Sequence, residues 1–143
     1  MTATCSPPLV MLIVEDNPAD VVFFVEAVEA SETPATLRVV TNGEDAMRFL
    51  RRQPPFADAP RPDVVVLDLN LPLKNGKEVL REMVGEPALR MIPVAILTTS
   101  NSESHLCDAH PKGRCQYFIK TAEFAELQGI VRQIVFHARA AAA

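Results

Sequence analysis

The chain is short of several things that would announce a common chemistry. It has no tryptophan, one tyrosine and five glycines in 143 residues. No GxGxxG and no glycine-rich loop ending in Lys-Ser/Thr occurs, so the phosphate cradles of dinucleotide and P-loop sites are missing. No Gly-x-Ser-x-Gly elbow is present either. Cysteine is scarce: Cys5, Cys107 and Cys115 form neither a CxxC pair nor an even set, and the chain reads as reduced. His105 and His110 lie near two of these cysteines, but the spacings C-x7-C and H-x4-H lack a compact zinc knuckle. Positive charge is in deficit, with 14 Lys+Arg against 18 Asp+Glu, which argues against affinity drawn from phosphate neutralisation and hence against DNA binding. The longest apolar runs hold about six residues, too few to span a bilayer. Leu9–Val14 runs directly into Glu15-Asp16, unlike a secretory segment, so the expected location is the cytoplasm.

What remains is an ordinary globule. Hydrophobic residues at 48% and charged residues at 22% suit one domain with a full core at this length. Leu9–Val14, Thr36–Val40, Asp63–Leu67, Ile92–Leu97 and Gln116–Ile119 read as strands. Val64-Val-Val-Leu67 and Ile92-Pro-Val-Ala-Ile-Leu97 are apolar throughout rather than alternating, as in parallel strands covered on both faces. Helical stretches lie between them. Asn17-Pro18 opens one with Val21, Phe24, Val25 and Val28 on its apolar side; Asn42 caps Gly43–Arg52; Asn75 starts one through Val79, Leu80 and Met83. Ser102–Ala109 is a weaker, polar helix stopped by Pro111, and Glu123–Ala140 carries Phe124, Leu127, Ile130, Val131, Ile134 and Val135 at helical spacing. Five strand–helix repeats predict an α/β, doubly wound, five-stranded parallel sheet over 9–138, with a flexible segment 1–8 and a tail 139–143.

In such a sheet ligands bind beyond the C-terminal strand ends. Strand one ends in Glu15-Asp16, strand three in Asp68, strand four in Thr98 and strand five in Lys120. Carboxylates brought together raise one another's proton affinity unless a cation is present, and Mg²⁺ resolves the conflict while meeting a phosphate. One carboxylate oxygen is then a nucleophile toward phosphorus, with a lysine and a hydroxyl to steady the phosphoryl oxygens. Asp68 is the chosen nucleophile. Taken singly, each residue has a plainer reading: Asp16 as a helix cap, Asp68 as a turn former, Thr98 bonded to backbone, Lys120 as surface charge. Their shared placement at strand ends is what favours chemistry. Tyr117, three residues before Lys120, is either a core aromatic or a reporter on the Lys120 side.

These residues resemble the receiver domain of two-component response regulators. The marks are Val14-Glu-Asp-Asn17, Leu67-Asp-Leu-Asn-Leu-Pro72 with Gly76, Thr98 after Pro93-Val-Ala-Ile-Leu97, then Gly113, Tyr117 and Lys120. The resemblance implies a flavodoxin-like strand order 2-1-3-4-5. It implies that Asp68 accepts a phosphoryl group from a histidine kinase, catalysing its own phosphorylation and dephosphorylation rather than ordinary turnover. It further implies Mg²⁺ held by Asp16, Asp68 and the carbonyl of Asn70, with Glu15 acting through water. Thr98 is then the switch hydroxyl, Lys120 the phosphate-facing cation and Tyr117 the rotating aromatic. Phe49-Leu-Arg-Arg52, Ala57-Asp-Ala-Pro-Arg-Pro-Asp63 and Leu97-Thr-Thr-Ser100 are similar to the single-domain regulators paired with bacterial and cyanobacterial phytochromes. The family usually has proline after its lysine, in a cis bond. Here Thr121 follows Lys120, and a cis bond there costs roughly 2.5–4 kcal/mol, so the joint is trans or strained.

After Ile119 the sequence leaves room for one helix and no DNA-binding module, so output is expected through docking. Phe124, Leu127, Ile130, Ile134 and Phe136 spread wider than one core-facing stripe, which suggests a homodimer interface, as the resemblance also does. Three other readings stand beside this one. A receiver-like module acting without phosphorylation would be marked by loss of Asp68, Asp16 or Lys120, and all three are present. A Mg²⁺-dependent phosphohydrolase would need its own acid/base group and a substrate cap. A flavodoxin-like electron carrier would need a Ser/Thr-rich nest after strand one.

Overall fold

A computed structural model describes residues 7–142, so most of the segment expected to be flexible, and Cys5 with it, lies outside the described residues. The strands are β1 Leu9–Val14, β2 Ala35–Val40, β3 Val64–Leu67, β4 Val94–Thr98 and β5 Cys115–Ile119. They form one sheet in the order β2-β1-β3-β4-β5, with every pairing parallel. The α-helices are α1 Pro18–Ala30, α2 Gly43–Arg51, α3 Gly76–Gly85 and α4 Phe124–Ala142. The expected doubly wound fold is therefore the observed one.

The continuous apolarity of the central strands has a direct cause. Leu12, Val14, Val65, Leu67, Val94 and Ile96 point to one side, into a core closed by Met47, Phe49, Val79 and Met83 of α2 and α3. Met11, Ile13, Val64, Val66 and Ala95 point to the other side, into a core closed by Phe24 and Val28 of α1 and Val131 and Ile134 of α4. Both faces are covered, so neither can be polar. Local signals place the helices: the Asn17 side chain accepts from the backbone of Ala19 and Asp20, and Asn75 with Glu78 forms a reciprocal capping box.

Four expectations are corrected. The polar helix at 102–109 is a 3₁₀ helix, Ser104–Ala109, with no side-chain cap and no buried residue; without an apolar stripe, packing cannot select a full α-helix there. The cysteines are not all free: Cys107 and Cys115 form a disulfide. Gly113, at φ 81°, reverses the chain after Pro111 and brings the two Cα atoms to 5.2 Å, within bridging range. Leu127 and Ile134 are core residues rather than interface residues, because the α4 stripe that carries them lies on the sheet. Finally, α4 continues through Ala142, so most of the expected tail is helix. The Lys120–Thr121 bond is trans, and the backbone N–H of Lys120 still donates to the Thr98 carbonyl at 2.7 Å, holding the lysine beside β4. Among the described residues no helix is long and apolar enough to cross a membrane.

Candidate functional site

The crevice at the C-terminal strand ends is built by the ladder itself. The Glu15 N–H donates to Val40 O at 3.1 Å and the Asp68 N–H to Val14 O at 3.0 Å, so both acidic residues continue the sheet geometry by one position. Gly76 closes the turn after Asp68. A side chain there would place its Cβ 2.4 Å from the Asp68 carbonyl oxygen, which only glycine avoids. Leu69 and Leu71 are buried beneath the same turn and fix it, leaving Asn70 exposed with its N–H donating to Asp68 Oδ1 at 3.2 Å.

Glu15, Asp16 and Asp68 each offer a carboxylate oxygen, and these lie within 4.8 Å of one another. Glu15 and Asp68 are buried while Asp16 is exposed at the mouth. Lys120 reaches in from the end of β5, with Nζ 2.7 Å from Glu15 Oε1 and 3.2 Å from Asp68 Oδ2. A third carboxylate grips the same ammonium: Asp20 Oδ2 of α1, at 2.8 Å. Sequence reasoning missed Asp20. The signal was the Asn17 cap, which starts α1 immediately after the acidic pair and sets the third helical residue beside the crevice.

Three carboxylates thus share one ammonium, with the Asp16 carboxylate beside them. Burial pushes the Glu15 carboxyl above its ordinary value; hydrogen bonds from Lys120 and from the Asn17 backbone pull it back, and the charge of Asp68 adds to the rise. Burial also works against the charge on Lys120, but hydrogen bonds to Asp20 and Glu15 and the charges of Asp68 and Glu15 outweigh it and hold the ammonium well above lysine's ordinary value. The lysine stays charged, yet it cannot neutralise the cluster alone. A hard divalent cation fits this donor set: clustered carboxylate oxygens, an open mouth at Asp16 and an excess of negative charge.

The remaining residues complete the crevice. Thr98 is fully buried and its hydroxyl has no partner among the described residues, a polar atom with its hydrogen-bonding capacity unspent. Tyr117 is half-buried and its hydroxyl donates to the Ser100 carbonyl, bracing the chain just beyond Thr98. A small cavity of about 40 Å³, lined by Phe23, Phe24, Leu97 and Leu127 among others, lies behind Lys120. Asp68, Glu15, Asp16 and Lys120 are therefore brought together, with Thr98 at the end of the neighbouring strand and Tyr117 one strand further out. Of the other residues expected at an interface, Phe136 is 70% exposed, Phe124 sets its ring 5.8 Å from that of Phe23, and Ile130 is half-buried against the core under α1 and α4.

Comparison with known proteins agrees with this geometry. A profile of the response regulator receiver domain matches residues 11–132. The response regulator Rcp1 of Synechocystis sp. is 37% identical over 134 residues, covering 94% of this chain and 91% of that protein. The crystal structure of the phosphorylated cyanobacterial phytochrome response regulator RcpA superposes with a TM-score of 0.78 at 41% identity, covering 89% of this chain and 91% of that one. The Mn²⁺-bound form of Rcp1 gives a TM-score of 0.77 at 38% identity, over 86% of this chain and 91% of the other.

Proposed function

Because this chain belongs to the response regulator receiver domain family, we infer that Asp68 accepts a phosphoryl group from a phosphohistidine of a sensor histidine kinase. An Asp68 carboxylate oxygen attacks phosphorus; the P–O bond forms as the P–N bond breaks, and the imidazole leaves with its electron pair. Mg²⁺ is our choice of cation; Asp16, Asp68 and the Asn70 carbonyl would hold it, and Glu15 would reach it through water. When bound, it neutralises the phosphoryl oxygens and the acidic cluster together. Lys120 offers its permanent charge to the same oxygens. Thr98 offers an unpartnered hydroxyl, and taking up a phosphoryl oxygen would end its isolation. Drawing Thr98 inward disturbs Ser100, and with it the Tyr117 hydroxyl, so Tyr117 transmits the change to the surface. The observation that carries this reading is one cluster: three carboxylates within 4.8 Å, with the Lys120 ammonium 3.2 Å from Asp68.

We read the kinase as a phytochrome, in keeping with the likeness to RcpA, and the chain as cytoplasmic, beside a kinase charged from ATP. Its acidic balance favours output by docking on protein over docking on DNA. Homodimerisation through Phe124, Ile130 and Phe136 is supported by the exposure of the two phenylalanines, 38% and 70%. Sedimentation should show a dimer for wild type and a 15.7 kDa monomer for Phe136→Asp; a monomeric wild type, phosphorylated or not, removes the dimer. For the main reading the test is intact mass after incubation with Mg²⁺ and acetyl phosphate. Wild type should gain one phosphoryl group and Asp68→Asn none. Uptake by that variant at the wild-type rate would sink the assignment.

A further inference from the structure

Cys107 and Cys115 lie outside the phosphoryl chemistry, yet they are covalently joined on the face that Tyr117 serves. Cys115 opens β5, and Tyr117, two residues on, projects to the same side of the strand. Both pack with Leu106 and Cys107 against the edge of one core. Beyond that packing, Ser104–Ala109 is lightly held: this 3₁₀ helix has no side-chain N-cap and buries no residue, and its neighbours are tied by the Lys77–Glu103 ion pair and the buried His110. The segment between Thr98 and Pro111 is thus pinned to β5 at two points. One is the Tyr117 hydroxyl on Ser100; the other is the disulfide.

A domain of this size with two full cores does not need a staple for its stability. In the cytoplasm, the location proposed above, isolated bridges are of the redox-responsive class. The half-buried state of both cysteines leaves the bond within reach of small thiols. We propose that Cys107 and Cys115 form a reversible thiol–disulfide site, open to low-molecular-weight disulfides and thiols, whose closure clamps the segment after Thr98 to β5. One cysteine thiolate attacks a small disulfide and expels one thiolate. The second cysteine then attacks the mixed disulfide and expels the other. The two cysteine thiols lose two electrons and two protons, and one small disulfide becomes two small thiols. The site itself is independent of the phosphoryl-acceptor reading. Its consequence, a muted response of the segment to phosphorylation when oxidised, rests on that reading.

The test uses the full chain carrying Cys5→Ser, equilibrated in mixtures of oxidised and reduced glutathione, quenched in acid and alkylated. Intact mass should move from no adduct to two as the mixture becomes reducing. Hydrogen exchange over residues 100–110 should become roughly tenfold faster on opening. Cys107→Ser should exchange like the reduced protein in every mixture. The same results are expected in Asp68→Asn, so a failure of the acceptor reading leaves this site standing. Two adducts in every mixture, a bond only between chains, or equal exchange in both forms would overturn the proposal. Acetyl phosphate with Mg²⁺ should alter exchange over 100–110 in the reduced protein and much less in the oxidised one. An equal response in both forms would overturn the coupling to phosphorylation.

Discussion

The two flanks of the crevice are built by different means. On the β1–β3 flank, the acidic residues extend strands whose every side chain is buried or nearly so, and Gly76 and Leu69 lock the turn from below. On the β4–β5 flank, Thr98 ends a buried strand, but the chain beyond it is held by a 3₁₀ helix with no buried residue, a Lys77–Glu103 ion pair, the packing of Leu106, a buried His110, a half-buried tyrosine and a disulfide. Core packing fixes the first flank. The second is held by a few individual tethers. A site that must hold a charge cluster in one geometry and also change shape would divide its construction in this way: rigid where oxygens are gathered, lightly held where motion is read out.

The sharpest way to break this contrast is by truncation. Leu67→Ala empties a fully buried position in β3, just before Asp68, and should cost about 2–5 kcal/mol in chemical denaturation. Leu106→Ala, on the 3₁₀ helix, should cost about 1 kcal/mol or less. Comparable losses at both positions would mean that the second flank is as firmly packed as the first.

A smaller effect separates metal binding from the lysine. Asp16→Asn removes an exposed carboxylate from the cluster while leaving the Lys120 ion pairs in place. Titration should show Mg²⁺ affinity falling by roughly tenfold or more, with the melting temperature in chelator little changed. Lys120→Ala should do the reverse, keeping metal affinity and slowing phosphoryl uptake. If Asp16→Asn binds Mg²⁺ like wild type, the cation is not held where the carboxylates gather.

The same division governs what could be read from sequence. The placement of Asp68, Thr98 and Lys120 at one edge is legible because buried parallel strands announce their own ends, and the topology gathers those ends. That of Asp20 is not, because an acid in the first turn of a helix is equally well explained by the helix dipole; only the placement of α1 over the crevice gives it to Lys120. The disulfide was invisible because a separation of eight residues says nothing until Gly113 turns the chain back. Leu127 and Ile134 are core rather than interface because the sheet covers a wider stripe of α4 than spacing alone reveals. The segment 102–109 has helical composition but no apolar stripe, and without one the sequence does not separate an α-helix from the observed 3₁₀ turn. The errors fall mostly where packing is thin or where contacts join distant parts of the chain.

Acidification should pull the two flanks in opposite directions, and this is the finest test of the comparison. His110, which ends the 3₁₀ segment, is 7% exposed, and neither ring nitrogen has a partner among the described residues. Burial lowers its pKa below the ordinary 6.5. Between those two values the unfolded chain binds the proton more readily, so stability is intact above about pH 6.5 and is lost as pH falls to the lowered folded value. Glu15 has the opposite sign. Its folded pKa is raised, so in chelator its ionised form is a cost at neutral pH, and protonation relieves that cost as pH falls through the raised value toward 4.5. Thermal unfolding in chelator from about pH 7.5 to about pH 5 should therefore separate three proteins by a few degrees. His110→Leu should lose less stability than wild type over this range, because nothing buried is left to charge. Glu15→Gln should begin more stable than wild type at neutral pH and gain nothing on acidification. Curves for His110→Leu that parallel wild type would mean that water reaches the ring, and that the second flank is looser still than its tethers imply.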